Sequence, residues 1–126
     1  HPNPNVHDKI HSRLGGFKNI HLLTPLDYPY LVYLMKHAKL ILTDSGGIQE
    51  EAPSFNCPTL VMRYETERTE GIEAGVSTLV GADYDKIVKL SSDILSKPIS
   101  DTRLTAKNPY GDGKASFRIE QIIRIA

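Results

Sequence analysis

The stretch from Leu40 to Pro53, LILTDSGGIQEEAP, restricts the fold more than any other part of the chain. An apolar run, Leu40-Ile41-Leu42, has the length and composition of a buried strand. It stops at Thr43-Asp44-Ser45-Gly46-Gly47, and a helical pattern starts at once. A strand that passes through a small polar turn into a helix presents that helix's first N–H groups, which have no intrahelical partner. With the helix dipole they favour an anion such as a phosphate. Two successive glycines let a ligand approach the backbone with no Cβ in the way. Glu51 follows Ser45 by six residues, about two turns along the same helix, where a carboxylate can accept hydrogen bonds from a ribose diol. The segment therefore reads as a nucleotide-diphosphate site. A plain strand-to-helix turn with Ser45 as N-cap fits the same residues. It is neither a Walker A loop, since no Gly-Lys-Ser/Thr follows, nor a GxGxxG fingerprint.

Short apolar runs alternate with helical patterns along the rest of the chain. Helices are expected over Val6–Leu14, closed by Gly15-Gly16, and over Pro25–Ala38, with Leu31, Leu34 and Met35 on one face. Pro29 suits the first turn of the second. Strands are expected at Ile20–Leu23, Leu40–Leu42, Thr59–Met62 and Ser77–Val80. Between them lie helices at Ile48 to about Phe55, where Pro53 kinks or ends the helix, and at Glu67–Ala74, closed by Gly75. Asp83–Leu95 is an amphipathic helix. A turn-rich Asn108–Gly113 precedes a last helix to about Ile125. Strands separated by helices imply βαβ units and a parallel sheet. The expected fold class is α/β, a Rossmann-like sheet with helices on both faces. Ligands of such sheets bind beyond the carboxyl ends of the strands. The loops Thr24–Asp27, Asp44–Gly47, Arg63–Arg68 and Gly81–Asp83 are thus expected to line the site.

The totals exclude several classes. The chain has 126 residues, enough for one domain with a core. Its 15 basic and 15 acidic side chains cancel, which argues against a nucleic-acid footprint. No apolar run approaches the roughly 20 residues that span a bilayer. The single cysteine, Cys57, permits no internal disulfide and fits a reducing, cytoplasmic setting. The first residues, His1-Pro2-Asn3-Pro4-Asn5, have neither a basic n-region nor an apolar h-region, and there is no initiator Met, so the sequence reads as part of a longer chain.

Other chemistry-bearing residues have competing readings. Arg63, Glu65, Glu67 and Arg68 form a charged loop that is either solvated or, at its ligand-facing end, supplies a guanidinium for phosphate or carboxylate. His7 and His11 share a helix face, but the HDKIH segment lacks the Glu of HExxH and no third metal ligand is apparent. Cys57, beside Pro58, reads as a small buried hydrophobe. Asn108–Gly113 is either a surface turn or a structural clamp before the last helix.

Several segments together resemble one family. They are HPNPNV (His1–Val6), NIHLLTPLDYPYLVYLM (Asn19–Met35), LILTDSGGIQEEAPSF (Leu40–Phe55), TLVMRYETERTEGIEAG (Thr59–Gly75) and NPYGDGKAS (Asn108–Ser116). The family is the non-hydrolysing bacterial UDP-N-acetylglucosamine 2-epimerases, and the likeness runs over nearly the whole chain. Its members are about three times this length. They have the glycosyltransferase-B architecture of two Rossmann-like domains facing a cleft. The resemblance implies that residues 1–126 are the second, UDP-binding domain, with 108–126 as tail turn and C-terminal helix, and that the N-terminal catalytic domain lies outside this sequence.

The resemblance also implies a reaction. UDP leaves C1 of UDP-GlcNAc as the C2 proton is removed, and UDP re-adds to the glucal intermediate to give UDP-ManNAc, with no metal or redox cofactor. Ser45, Gly46 and Gly47 would hold the diphosphate, Glu51 the ribose hydroxyls, and Arg68 would reach the ligand from the next loop. Leu26 and Leu31 match positions near the uracil, where the family more often has a polar and an aromatic residue. His1 matches a histidine that touches a second, regulatory UDP-GlcNAc in some members. The acid/base groups belong to the part before His1, so no catalytic residue is expected here and the chain alone should be inactive. Tyr64-Glu65 replaces the family's usual Asp-Thr-like pair, and Asn56-Cys57 a Gly-Lys-like pair. A homodimer is expected of the full-length protein. Three other readings fit the fold: the donor domain of a glycosyltransferase, a non-catalytic UDP-sugar-binding module, and a hydrolysing epimerase that releases free UDP. The wording of DSGGIQEE and NPYGDG favours the non-hydrolysing epimerase.

Overall fold

The computed structural model describes residues 3–125. His1, the expected regulatory contact, lies outside them. The chain forms two compact units that divide between Leu34 and Met35.

The first unit opens with helix α1 (Pro4–Leu14). Its start is set by Asn3, whose side chain accepts from the N–H of Asn5 at 3.0 Å, and by Pro4 in the first turn. It ends at Gly15, where a Cβ would lie 2.7 Å from the carbonyl oxygen of His11. The His7 and His11 rings stack with centroids 4.1 Å apart, and His7 Nδ1 lies 2.9 Å from Asp8 Oδ1. Among the described residues no group of three or more His, Cys, Asp or Glu is placed to hold a metal.

The strand expected at Ile20–Leu23 is not formed. Ile20 and Leu22 are half-buried while His21 and Leu23 are exposed, so the period of two is present. No backbone ladder accompanies it, and residues 20–27 make an irregular connection. Alternating burial selects a side-chain pattern, but only hydrogen bonding to a neighbour makes a strand. Helix α2 (Tyr28–His37) then starts later than expected, with the carbonyl of Asp27 accepting from Tyr30 and Leu31.

The second unit is built on a three-stranded parallel sheet in the order β1 (Ile41–Thr43), β2 (Thr59–Val61), β3 (Ser77–Leu79). Ile41 pairs with Thr59, which pairs with Ser77, and the register continues along all three strands. The central strand is buried throughout, as a parallel strand covered on both faces should be. Leu60, Val61, Val76 and Val80 form the core with Met35, Ala52 and Cys57. Each such aliphatic side chain contributes about 1.5–3 kcal/mol by leaving water. Cys57 is fully buried, as expected, and its thiol points at the carbonyl of Ala38. Burial pushes that thiol's pKa up, partly offset by the charge and hydrogen bond of Arg103.

Between β1 and β2, helix α3 (Gly46–Glu51) passes into a 3₁₀ turn (Ala52–Phe55) at the point where Pro53 removes a backbone donor. Asn56, left-handed with φ 53°, closes it. Helix α4 (Thr69–Glu73) joins β2 to β3 and ends at Gly75, with φ +70°. Helix α5 (Tyr84–Leu95) follows β3 and is capped by Asp83, whose carboxylate accepts from the N–H of Lys86 at 3.0 Å. A short α6 (Ile99–Thr102), not expected from the sequence, precedes Arg103, whose guanidinium donates to the carbonyls of Phe55 and Lys36. Helix α7 (Ala115–Ile125) has no buried residue. It is anchored at its start by Arg118, which grips both carboxylate oxygens of Asp112 at 2.9 and 2.7 Å. No described helix is long and apolar enough to cross a membrane.

A cavity of about 210 Å³ lies at the amino ends of β2 and β3, lined by Pro58, Thr59, Gly75, Val76, Ile94 and Leu104. Ligands of parallel sheets bind at the other end.

Candidate functional site

At the carboxyl end of β1, the side chain of Thr43 folds the chain over: its Oγ1 accepts from the N–H of Ser45 at 3.1 Å. Ser45 stands at the N-cap of α3 with extended backbone, yet its hydroxyl makes no capping bond. The first intrahelical bond runs from Gln49 N–H to the carbonyl of Ser45. Among the described residues nothing accepts from the N–H groups of Gly46, Gly47 or Ile48. Three outward donors and the positive end of a helix dipole therefore stand open at this edge.

The two glycines have different reasons to be there. A Cβ on Gly46 would come within 3.1 Å of Cζ of Arg68, so the guanidinium already lies against the bare backbone. A Cβ on Gly47 would meet Ser45 Oγ at 3.9 Å and Glu51 Oε1 at 4.0 Å, which is ordinary contact. No described protein atom demands a glycine at 47; its missing Cβ leaves the turn bare toward the outside. The same distances put Ser45, Gly47 and Glu51 on one face.

Arg68 comes from the loop after β2 and is held from two sides. Its Nε donates to Glu50 Oε1 and its Nη1 to Glu67 Oε2, both at 2.8 Å. The hydrogen bond that Arg68 donates to Glu50, then the charge of Glu50, raises the arginine's pKa and keeps it a cation. Its backbone is placed through a chain of side chains. Gln49, 1% exposed, donates from Nε2 to the carbonyl of Ser45 at 3.3 Å. Its Oε1 accepts from the hydroxyl of Thr66 at 2.7 Å, and Thr66 Oγ1 in turn accepts from the N–H of Arg68 at 3.2 Å. One buried amide thus sets the spacing between the Ser-Gly-Gly turn and the arginine loop.

Of the residues singled out in the sequence, Ser45, Gly46, Gly47, Glu51 and Arg68 are brought together in the second unit. Leu26 and Leu31 belong to the first unit, Leu26 exposed in the connection before α2 and Leu31 half-buried on α2. The loop Thr24–Asp27, expected at a strand end, follows no strand; the carboxyl-end loops of the observed sheet are those after β1, β2 and β3. Sequence reasoning passed over Gln49, Glu50, Thr66 and Tyr110. Gln49 lies four residues after Ser45, on the same helical face, which is the one local signal it carries. Tyr110 sits 42 residues from Arg68 and its contact has no local signature.

The model of the family described as "UDP-N-acetylglucosamine 2-epimerase" matches residues 1–124. The UDP-N-acetylglucosamine 2-epimerase of Yersinia pestis is 50% identical over 125 residues, 98% of this chain and 33% of that protein. Among solved structures, the UDP-GlcNAc 2-epimerase of Neisseria meningitidis bound to UDP-GlcNAc matches all of this chain and 34% of its own, at 41% identity and a TM-score of 0.89. The enzyme of Methanocaldococcus jannaschii in complex with UDP-GlcNAc and UDP matches at 36% identity and a TM-score of 0.81, over 100% of this chain and 34% of its own. The chain spans about a third of the length of these relatives. The sheet is the α/β, Rossmann-like arrangement expected, on three strands rather than four. On the match of its sequence and of its fold, the chain belongs to the UDP-N-acetylglucosamine 2-epimerase family.

Proposed function

We propose that this chain is the UDP-binding part of an enzyme that interconverts UDP-N-acetylglucosamine and UDP-N-acetylmannosamine by elimination and re-addition of UDP. The observation that carries the reading is the open α3 N-terminus with the Arg68 cation laid against Gly46. The N–H groups of Gly46 and Gly47, the Ser45 hydroxyl and Arg68 hold the diphosphate. That interaction is strongest when charge builds on UDP as the C1–O bond breaks, so the same groups stabilise the leaving group. Glu51, on the face of Ser45 and Gly47, accepts from the ribose hydroxyls. Leu26 and Leu31 contact the uracil, and His1 touches a second, regulatory UDP-GlcNAc.

Arg68 is shared with two carboxylates, and Asp44 and Glu51 stand nearby in sequence, so a diphosphate here gains from further positive charge. That charge, and the acid and base for the C2 proton, come from the remainder of a longer protein of two facing Rossmann-like domains, in which residues 1–126 form the second and 108–126 its tail. The full-length protein is a cytoplasmic homodimer that uses no metal or redox cofactor. The test is conversion of UDP-GlcNAc by the full-length protein with no acceptor sugar present. Formation of UDP-ManNAc with no release of free UDP supports the reading. Turnover only when an acceptor is added, with transfer of the sugar, overturns it in favour of a glycosyltransferase.

A further inference from the structure

Helix α4 begins with a residue that cannot cap it. Arg68 occupies the N-cap, and a guanidinium has donors but no acceptor. The orphan N–H of Gly71, third in the helix, donates instead to the hydroxyl of Tyr110 at 3.0 Å. That hydroxyl donates its own proton to the carbonyl of Arg68 at 3.2 Å. One phenol oxygen therefore closes the helix start and pins the main chain of Arg68. Burial raises the phenol's pKa, which keeps that proton in place.

Tyr110 is itself fixed. Its N–H donates to Asn108 Oδ1 at 2.9 Å, and Asn108 Nδ2 donates to Ser54 Oγ at 2.8 Å in the 3₁₀ turn after α3. Gly71 makes room for the ring: a Cβ there would lie 2.6 Å from the Tyr110 hydroxyl oxygen. The tail turn is thus bonded both to the segment that follows the Ser-Gly-Gly helix and to the arginine loop.

We infer that Tyr110 is a positioning residue for the diphosphate, acting through Arg68: its hydroxyl holds the arginine's backbone where the guanidinium lies against Gly46. The inference rests on the reading of Arg68 given under Proposed function. It assigns the Asn108–Gly113 turn a part in nucleotide binding through its bonds to Ser54, Gly71 and Arg68.

The test compares dissociation constants for UDP and for uridine in the full-length protein, by ligand-observed NMR titration, for wild type, Tyr110→Phe, Arg68→Ala and the double variant. Tyr110→Phe keeps the ring and deletes one hydroxyl. It should weaken UDP roughly three- to tenfold, the worth of one neutral hydrogen bond, and leave uridine unchanged. In the Arg68→Ala background it should add nothing, because the two act as one unit. Gly71→Ala, which crowds the phenol, should give the same pattern. Equal loss of UDP and uridine would reduce Tyr110 to a structural residue and overturn the inference. So would full UDP affinity in Tyr110→Phe while Arg68→Ala is impaired, an outcome that leaves the reading of Arg68 standing. Full UDP affinity in Arg68→Ala would bring down both.

Discussion

Helices α3 and α5 begin alike and are finished differently. Each follows a strand of the same parallel sheet, turns at its carboxyl end and starts behind a residue well suited to cap a helix. At α5 that residue, Asp83, turns its carboxylate inward and satisfies the N–H of Lys86. At α3 the Ser45 hydroxyl makes no such bond, and among the described residues nothing accepts from the donors of Gly46, Gly47 and Ile48. The closed start serves the helix; under the proposed function the open one keeps its donors for a diphosphate. The contrast shows that a capping residue in a sequence marks where a helix begins, not whether its first donors are used there.

The strongest way to break the contrast is to make α3 resemble α5. Ser45→Asp brings in a capping carboxylate and should leave stability unchanged or slightly raised. It should also weaken UDP binding by roughly a thousandfold, the scale of one unit charge about 4 Å from a phosphate near a protein surface. Calorimetric titration with UDP, beside a thermal melt, reads both quantities. If UDP binds Ser45→Asp as it binds wild type, the open donors are not the phosphate site.

The next effect falls on the brace between turn and loop. Gln49→Leu retains bulk but removes the partner of Thr66 and of the Ser45 carbonyl, and should lower stability by about 2 kcal/mol. Denaturant unfolding checks this, and the UDP affinity should fall with it. Asp83→Ala should cost about 1 kcal/mol as a lost N-cap with UDP affinity unaltered. A matching loss of affinity would mean that the start of α5 also faces the ligand.

The smallest effect concerns the tail. Arg118, followed by the N–H of Lys114, holds the Asp112 carboxyl at a pKa of about 2, below its ordinary 3.8. A depressed carboxylate pKa stabilises the fold above the ordinary value, and that contribution is lost as pH falls from 3.8 through about 2. Amide exchange in the first turn of α7 should accelerate across this window in wild type. In Asp112→Asn it should be fast already at neutral pH and show no step there.

Much of this was legible in the sequence because it is local. The Leu40–Pro53 segment announces its turn through its glycines, and Pro53 ends α3 close to where a missing donor must. Asp83 and Gly75 bound their helices as capping chemistry requires. Ile20–Leu23 misled because its period of two is real while the ladder that makes a strand depends on a neighbouring chain segment. Gln49 read as one polar residue among several on a helix, and only folding shows it buried between Ser45 and Thr66. Tyr110 was harder still, since a phenol that caps a helix 39 residues away leaves no periodic trace. That Ser45, Gly46, Gly47, Glu51 and Arg68 come together was within reach; the scaffolding that sets their spacing was not.

The buried thiol of Cys57 gives this chain a clock of its own. A thiol with no exposed surface and a raised pKa reacts with an alkylating reagent only when the core around it opens. Its rate of modification therefore counts openings of the sheet's interior directly, with no label added. If UDP binds the closed form as proposed, each increment of ligand should slow that clock in proportion to occupancy.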